Sequence, residues 1–211
     1  MEKPIKYVIF KTEWGYFGLA GTESGLLRTF LPHNNPDEVK SRLLKDLSFL
    51  NRVSRNEHPV AGHESRVIGH ESRVIGHGSQ VASIEFDKTF FKPIQEQIAA
   101  YFEGAYVNFN PDIPVMLDGF SQFCTSVLTA CRNVSFGQTI TYGELAKKLG
   151  RPAAVRAVGN ALAKNPLPLI IPCHRVIRSD GSLGGFSAPA GLSLKRRLLA
   201  HEQNCLSAAL E

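Results

Sequence analysis

The chain has 211 residues, 43% hydrophobic and 20% charged, which suits one large or two small globular domains and leaves enough length for an ordinary core. No apolar run approaches the roughly 20 residues of a membrane helix, and the start, Met1-Glu2-Lys3-Pro4-Ile5-Lys6, lacks the basic-then-apolar pattern of a secretory signal. The four cysteines, 124, 131, 173 and 205, form no CxxC pair and no disulfide framework, so free thiols in a reducing compartment are expected. Charge is uneven: residues 1–114 hold 13 Lys+Arg against 14 Asp+Glu, and residues 115–211 hold 11 against 5. The formal charge of +5 therefore sits in the C-terminal half and points to a polyanionic partner there.

Residues 5–31 read as a strand meander. Ile5-Lys6-Tyr7-Val8-Ile9-Phe10 is β-branched and aromatic, Trp14-Gly15-Tyr16-Phe17-Gly18-Leu19 follows, and Leu26-Leu27-Arg28-Thr29-Phe30-Leu31 comes after a turn between Gly21 and Gly25. Asn35-Pro36-Asp37-Glu38 predicts a helix start with Asn35 as cap, and Val39, Leu43, Leu44 and Leu47 give that helix one apolar face.

Residues 51–82 differ in kind. Gly62-His63-Glu64-Ser65-Arg66-Val67-Ile68 recurs unchanged at residues 69–75, and a degraded copy opens at Gly76-His77-Gly78-Ser79. The adjacent Val-Ile pair in each unit cannot make a coiled-coil seam, which needs apolar residues three and four apart. A duplicated surface insertion is expected, since a long loop costs little to extend. From Thr89 to Glu103 the spacing of Phe90, Ile94, Ile98 and Phe102 predicts an amphipathic helix ended by Gly104. Asn110-Pro111-Asp112-Ile113-Pro114 reads as an extended crossover between two lobes.

The C-terminal half is richer in signals. Residues 120–131 read as a helix with Phe123, Val127, Leu128 and Cys131 on one face. Thr141 and Glu144 form a capping box that opens a short helix closed by Gly150. A second helix starts in Arg151-Pro152-Ala153-Ala154-Val155 and stops at Asn165-Pro166, so the two form a helix-turn-helix candidate. Val155, Val158 and Leu162 are expected on its inner face; Ala153, Ala157, Ala161 and Ala163 leave the rest smooth, with Arg156 early in the helix. Such a face suits a narrow nucleic-acid groove, with the arginine entering the base stack. It equally suits a tight helix–helix contact.

Leu167-Pro168-Leu169-Ile170-Ile171-Pro172-Cys173-His174-Arg175-Val176 takes an apolar run onto a cysteine followed at once by histidine and arginine. A thiol beside groups that favour its anion is a candidate nucleophile, because the thiolate is the reactive species. Cys-His adjacency alone equally fits a buried cysteine that ends a strand. Asp180-Gly181 marks a hairpin turn, Gly184-Gly185 permits close backbone approach, and a last helix over residues 192–202 is expected to turn Leu194, Leu198 and His201 inward, with Glu202 at its edge.

Ile171-Pro172-Cys173-His174-Arg175-Val176 resembles the signature of the O6-alkylguanine-DNA alkyltransferase family. Thr141-Tyr142 with Glu144-Leu145-Ala146, Arg156-Ala157-Val158-Gly159, Asn165-Pro166 and Leu198-Leu199-Ala200-His201-Glu202 follow that family's order and spacing over about residues 120–203. The resemblance implies an α+β fold: a small N-terminal ribonuclease H-like α/β lobe and a C-terminal helical, helix-turn-helix (winged-helix-like) lobe that carries the active cysteine. The expected division is residues 1–50 for the first lobe, 51–85 for the repeat-containing insertion, 86–114 for a connecting helix and crossover, and 115–211 for the DNA-binding and alkyl-transfer domain.

The implied activity is irreversible transfer of an alkyl group from guanine O6 (or thymine O4) in double-stranded DNA to Cys173, with the damaged nucleotide flipped out. In the implied catalytic set Glu202 orients His174, His174 acts on Cys173 through a water, Tyr142 hydrogen-bonds or protonates guanine N3, and Asn165 holds the turn that presents the cysteine. Arg156 fills the vacated place in the stack, the carbonyls of Cys173 and Val176 accept from the exocyclic amine, and the Ser187 N–H meets O6. Gly143, Arg151, Ala157 and Ser179 fall where family members touch DNA. No cofactor, no metal and no membrane is implied; the expected state is a monomer, cytoplasmic in a prokaryote or nuclear in a eukaryote. Alkyltransferase-like proteins, which bind lesions and transfer nothing, are the alternative, and they lack the cysteine. This chain departs from many members at Phe186, where tyrosine is common, in the longer Ala188-Pro189-Ala190 stretch, and at Arg197, where a tryptophan often follows the helix lysine, here Lys195.

Overall fold

A computed structural model describes residues 4–53, 83–109, 112–188 and 190–208. The repeats at residues 62–82, expected as a surface insertion, lie outside the described residues. Three strands, β1 (Ile5–Thr12), β2 (Gly15–Thr22) and β3 (Gly25–His33), pair antiparallel in sequence order. Helix α1 (Pro36–Val53) follows, with the Asn35 side chain accepting from the Asp37 and Glu38 N–H groups at 2.8 and 3.4 Å. Residues 84–86, which carry no strand signal of their own, form β4 (Ile84–Phe86), parallel to β1, so the sheet order is β3-β2-β1-β4.

Strand alternation sorts the side chains between two layers. Ile5, Tyr7 and Ala20 face one way and pack with Leu43 and Leu47 of α1. Val8, Phe17, Leu19, Leu26 and Leu31 belong to the main core, which runs on without a break into the C-terminal half. Helix α2 (Lys92–Phe102) contributes Ile94, Ile98, Tyr101 and Phe102 to that core. It starts later than the periodicity of Phe90 predicts, because Phe91 adopts a left-handed conformation at φ 48°. Helix α3 (Gln122–Arg132) buries Cys124, Val127, Leu128 and Cys131; Phe123, expected on that face, is only partly covered.

The next elements place the site. Strand β5 (Ile140–Thr141) pairs parallel with β6 (Val176–Ile177), in the register Ile140↔Val176 and Thr141↔Ile177. Helix α4 (Tyr142–Lys148) begins directly after β5, and Thr141 caps it reciprocally with Glu144: Thr141 Oγ1 accepts from the Glu144 N–H at 3.1 Å, and Glu144 Oε2 accepts from the Thr141 N–H at 2.8 Å. Gly150 ends α4 at φ +69°, and α5 (Val155–Leu162) follows. Val155 does not face inward as its spacing suggests: it is 40% exposed, and Val158, Ala161 and Leu162 are buried instead. Helix α6 (Gly191–Ala208) is longer than expected, and Glu202 lies fully buried in its middle rather than at an edge.

Among the described residues no helix is long and apolar enough to cross a membrane. Because the α4 cap is a local interaction, Thr141→Ala is expected to lower stability by about 1 kcal/mol, read as a shift in the urea midpoint. An unchanged midpoint counts against the cap.

Candidate active site

The apolar run before Cys173 makes two tight turns. Leu169, at φ 79°, occupies a left-handed conformation unusual for leucine, and the Ile171 N–H donates to the Leu167 carbonyl at 2.8 Å. Asn165 ties this loop together: its Nδ2 donates to the Ile171 carbonyl at 2.8 Å and to Cys173 Sγ at 3.1 Å, and its Oδ1 accepts from the Leu167 N–H at 3.0 Å. The far side of the loop is held by strand β3, where the Thr29 N–H and hydroxyl donate to the Pro166 and Pro168 carbonyls at 3.0 and 2.8 Å. Cys173 then opens a single 3-10 turn, Cys173–Arg175, half-exposed at its first residue and buried at the next two.

Behind the cysteine lies a buried charge cluster. His174 Nε2 is 2.7 Å from Glu202 Oε1. Arg175 donates from Nε to both Glu202 oxygens at 3.2 and 3.0 Å and from Nη2 to Oε1 at 2.9 Å, while its Nη1 reaches the Val134 carbonyl. Tyr101 Oη donates to Oε1 at 2.9 Å, and the Gly137 N–H donates to Oε2 at 3.0 Å. Burial opposes the Glu202 charge, yet the hydrogen bonds and charge of His174 and Arg175 hold its pKa down at about 2. Burial also pushes His174 below its ordinary value, against the pull of Glu202 and with help from Arg175 and Lys195, so the imidazole is a neutral base near pH 7. With Nε2–H committed to Glu202, the lone pair is on Nδ1, which is buried and has no partner among the described residues.

Burial pushes the Cys173 thiol up, although the Asn165 hydrogen bond and Lys195 work in the opposite direction. The resting cysteine is therefore a thiol that needs a base before it can attack. Lys195 is fully buried; its Nζ donates to the Val176 carbonyl at 2.6 Å and lies 5.9 Å from the Tyr142 ring centroid. Tyr142 is held above its ordinary value by burial and by the nearby Cys173, which keeps the phenol protonated and able to donate. Gly184 is required beside it, since a Cβ there would overlap the Tyr142 hydroxyl.

Cys173 and Tyr142 both open onto a cleft of about 1030 Å³. Its walls come from β3, α5, the 163–168 loop and the 184–188 loop, and include Arg28, Arg156, Lys164 and Arg178 with no carboxylate among its lining residues. Of the expected site residues, Tyr142, Arg156, Asn165, Cys173 and Ser187 line this cleft. His174 and Glu202 lie behind it, fully buried. Gly143, Arg151, Ala157, Val176 and Ser179 do not line it: Arg151 packs over the Phe123 ring at 5.4 Å, Ala157 and Ser179 are exposed, Gly143 is half-buried and Val176 is buried. The Cys173 and Val176 carbonyls already accept from the Val176 N–H and from Lys195, each leaving one lone pair for a ligand.

The sequence model of the 6-O-methylguanine DNA methyltransferase DNA-binding domain matches residues 122–204. The methylated-DNA–protein-cysteine methyltransferase of Methanosarcina acetivorans is 41% identical over 119 residues, which cover 56% of this chain and 73% of that protein. This chain belongs to the methylated-DNA–protein-cysteine methyltransferase family. The mouse (Mus musculus) protein of the same name is 54% identical over 69 residues, 33% of this chain and 32% of that one. A crystal structure of Mycobacterium tuberculosis OGT in complex with DNA superposes with a TM-score of 0.62 at 27% identity, covering 95% of this chain and 94% of the other. The similarity in structure thus extends over the N-terminal lobe, where the sequence shows only an outline.

Three residues given no role by the sequence reading lie around the candidate site: Tyr101 and Lys195 behind it and Thr29 on the far side of the Cys173 loop; Arg175, expected beside the thiol, instead pairs with Glu202. Arg175 was within reach of sequence reading, since it follows Cys-His directly. Tyr101 sits beside Phe102 on an apolar helix face, and Lys195 precedes two more cations, so neither spacing nor composition separates them from packing or surface residues.

The pKa shifts fix an acid-stability trend. Glu202 is depressed from 4.5 to about 2, so its contribution is present above about 4.5 and is lost as pH falls towards 2. His174, also held below its ordinary value, adds in the same direction, because the unfolded chain takes up that proton first. Urea unfolding measured against pH should show stability falling by about 3 kcal/mol across the Glu202 window. Glu202→Gln should be less stable at neutral pH and should lose less stability across that window, keeping only the slope of the other depressed carboxylates, Asp87, Glu144 and Asp180; an equally steep acid slope in the variant would contradict this assignment.

Proposed function

We propose that this protein repairs DNA directly, moving the alkyl group of O6-alkylguanine in duplex DNA onto Cys173 once and irreversibly. The observation that carries the reading is the placement of Cys173 Sγ in the basic cleft, held by Asn165 and backed by the buried His174–Glu202 pair. In this reading His174 Nδ1 takes the thiol proton through a bridging water, and the His174–Glu202 hydrogen bond stabilises the resulting imidazolium. The thiolate attacks the alkyl carbon; the S–C bond forms as the C–O6 bond breaks, and its electron pair leaves on guanine. Tyr142 donates to N3 as charge builds on the ring, which makes the base a better leaving group. In net terms one alkyl group passes from guanine to sulfur and one proton passes back.

Cys173 ends as a thioether, which has no S–H proton to lose and cannot return to the thiolate, so the protein is consumed in one turnover. A guanine stacked in a duplex cannot reach a thiol at the floor of a cleft, so the nucleotide must be extruded. Arg156, exposed at the start of α5 and on the cleft wall, is the residue placed to occupy the vacated stack. Exposed Ala157 gives the helix the smooth surface that close approach to a minor groove needs. Arg151, Ser179 and Gly143 contact the backbone around it, the Cys173 and Val176 carbonyls receive the exocyclic amine, and the Ser187 N–H meets O6. The protein acts as a monomer, in the cytoplasm of a prokaryote or the nucleus of a eukaryote.

Incubation with an O6-methylguanine duplex is expected to leave one methyl on the peptide that holds Cys173, stoichiometrically, by mass spectrometry. Duplex binding without any modified peptide would instead identify a lesion-binding protein. Arg156→Ala is expected to slow repair of duplex DNA by at least about tenfold while leaving reaction with free O6-benzylguanine near wild type. Equal losses on both substrates would refute the stacking role.

A further inference from the structure

We propose that Tyr101 is a positioning residue of the transfer reaction: its hydroxyl pins the Glu202 carboxylate and holds part of that charge back from His174. The proposal rests on the reading of His174 as the base. Tyr101 belongs to α2, outside the cleft and outside the matched domain, and is fully buried. Its hydroxyl donates at 2.9 Å to Glu202 Oε1, the oxygen that faces His174 Nε2 at 2.7 Å. Its backbone carbonyl accepts from His201 Nε2 at 2.5 Å. One residue of α2 thereby grips two consecutive residues of α6.

The hydroxyl has little freedom to do anything else. The Tyr101 ring is walled by Phe102, Phe109, Phe136 and His201, with centroids between 5.1 and 6.0 Å. Packing alone would be served by phenylalanine, since a buried hydroxyl without a partner is costly. Burial and the neighbouring carboxylate hold the phenol protonated well above its ordinary value, so it donates at every pH at which the protein works. The geometry also divides the labour on Glu202. Arg175 straddles both oxygens, the Gly137 N–H holds Oε2, and Tyr101 with His174 holds Oε1.

A carboxylate that receives more donors has less electron density for each one, and so stabilises the imidazolium less. Removing the Tyr101 hydroxyl therefore makes His174 a stronger base and protonates it at higher pH. The other groups around the pair are unchanged by the substitution: Arg175 on the 173–175 turn and Lys195 on α6 keep their charges, and the Cys173, Cys205 and Cys131 thiols and the Tyr142 phenol, all pushed up by burial, stay neutral. Structural loosening alone would instead lower the rate evenly across pH.

The test titrates the His174 imidazole by 15N NMR in the unreacted protein and, in parallel, measures methyl transfer from an O6-methylguanine duplex against pH. Tyr101→Phe is expected to raise the His174 pKa by about one unit and to cut the rate about tenfold on the acid side. The two rates should converge in alkali. Incorporation of 3-fluorotyrosine at position 101, a stronger donor of the same shape, should move the His174 pKa down. An unmoved pKa in Tyr101→Phe, a uniform loss of rate, or shifts of the same sign in the two variants would overturn the proposal. A wild-type protein that transfers no methyl would defeat the functional reading while leaving the His174 titration to report on Tyr101.

Discussion

An ionised carboxylate with no exposed surface is the constraint on which the rest of this structure depends. Burying such a charge without compensation costs several kcal/mol even after relaxation. Glu202 avoids that cost because Arg175, His174, Tyr101 and the Gly137 N–H all point at it. These four donors arrive from three places: the Cys173–Arg175 turn (two of them), helix α2 and the loop after α3. The same carboxylate that unites the elements also fixes the imidazole tautomer. Stability and readiness for proton transfer are therefore one arrangement, and a change that weakens the anion's surroundings disturbs both.

The cysteine is placed by a second, smaller network built on Asn165. Its amide links the loop carbonyl of Ile171 to Cys173 Sγ, and strand β3 closes the loop from the other side through Thr29. The short parallel pair β5–β6 then sets Tyr142 beside the turn that holds the thiol. No long element is needed for this. Two residues of register, one capping box and one glycine at position 184 are enough to set the phenol beside the turn that holds the thiol.

The chemistry also explains why the thiol is left protonated. In the proposed reaction a cysteine used once gains nothing from standing as a thiolate, and a standing thiolate in a cleft would be open to oxidation. Desolvation keeps it neutral, while the Asn165 hydrogen bond and Lys195 favour its anion. The basic walls of the cleft suit the polyanion expected from the charge of residues 115–211. Part of that wall, Arg28 to Leu31, comes from the nearly neutral N-terminal half, so the lobes share the cleft rather than dividing binding from chemistry.

What the sequence by itself determined is what depends on near neighbours in the chain. The cap at Asn35, the box at Thr141 and Glu144, the stop at Gly150 and the Pro-Cys-His-Arg stretch are legible because each is settled within a few residues. The order and spacing of the C-terminal motifs located the family for the same reason, and five of the residues they single out line one cleft. Only the tertiary structure decided the positions of Val155, Glu202, Tyr101, Lys195 and β4. Val155, the first residue of α5, is exposed because it lies on the wall of the open cleft, and β4 pairs with a strand about 80 residues away. Glu202 reads as a solvated helix end until Arg175 and Tyr101, 27 and 101 residues distant, are brought against it. Whether a polar side chain is surface or centre depends on which partners fold onto it, and that information lies in long-range packing rather than in local pattern.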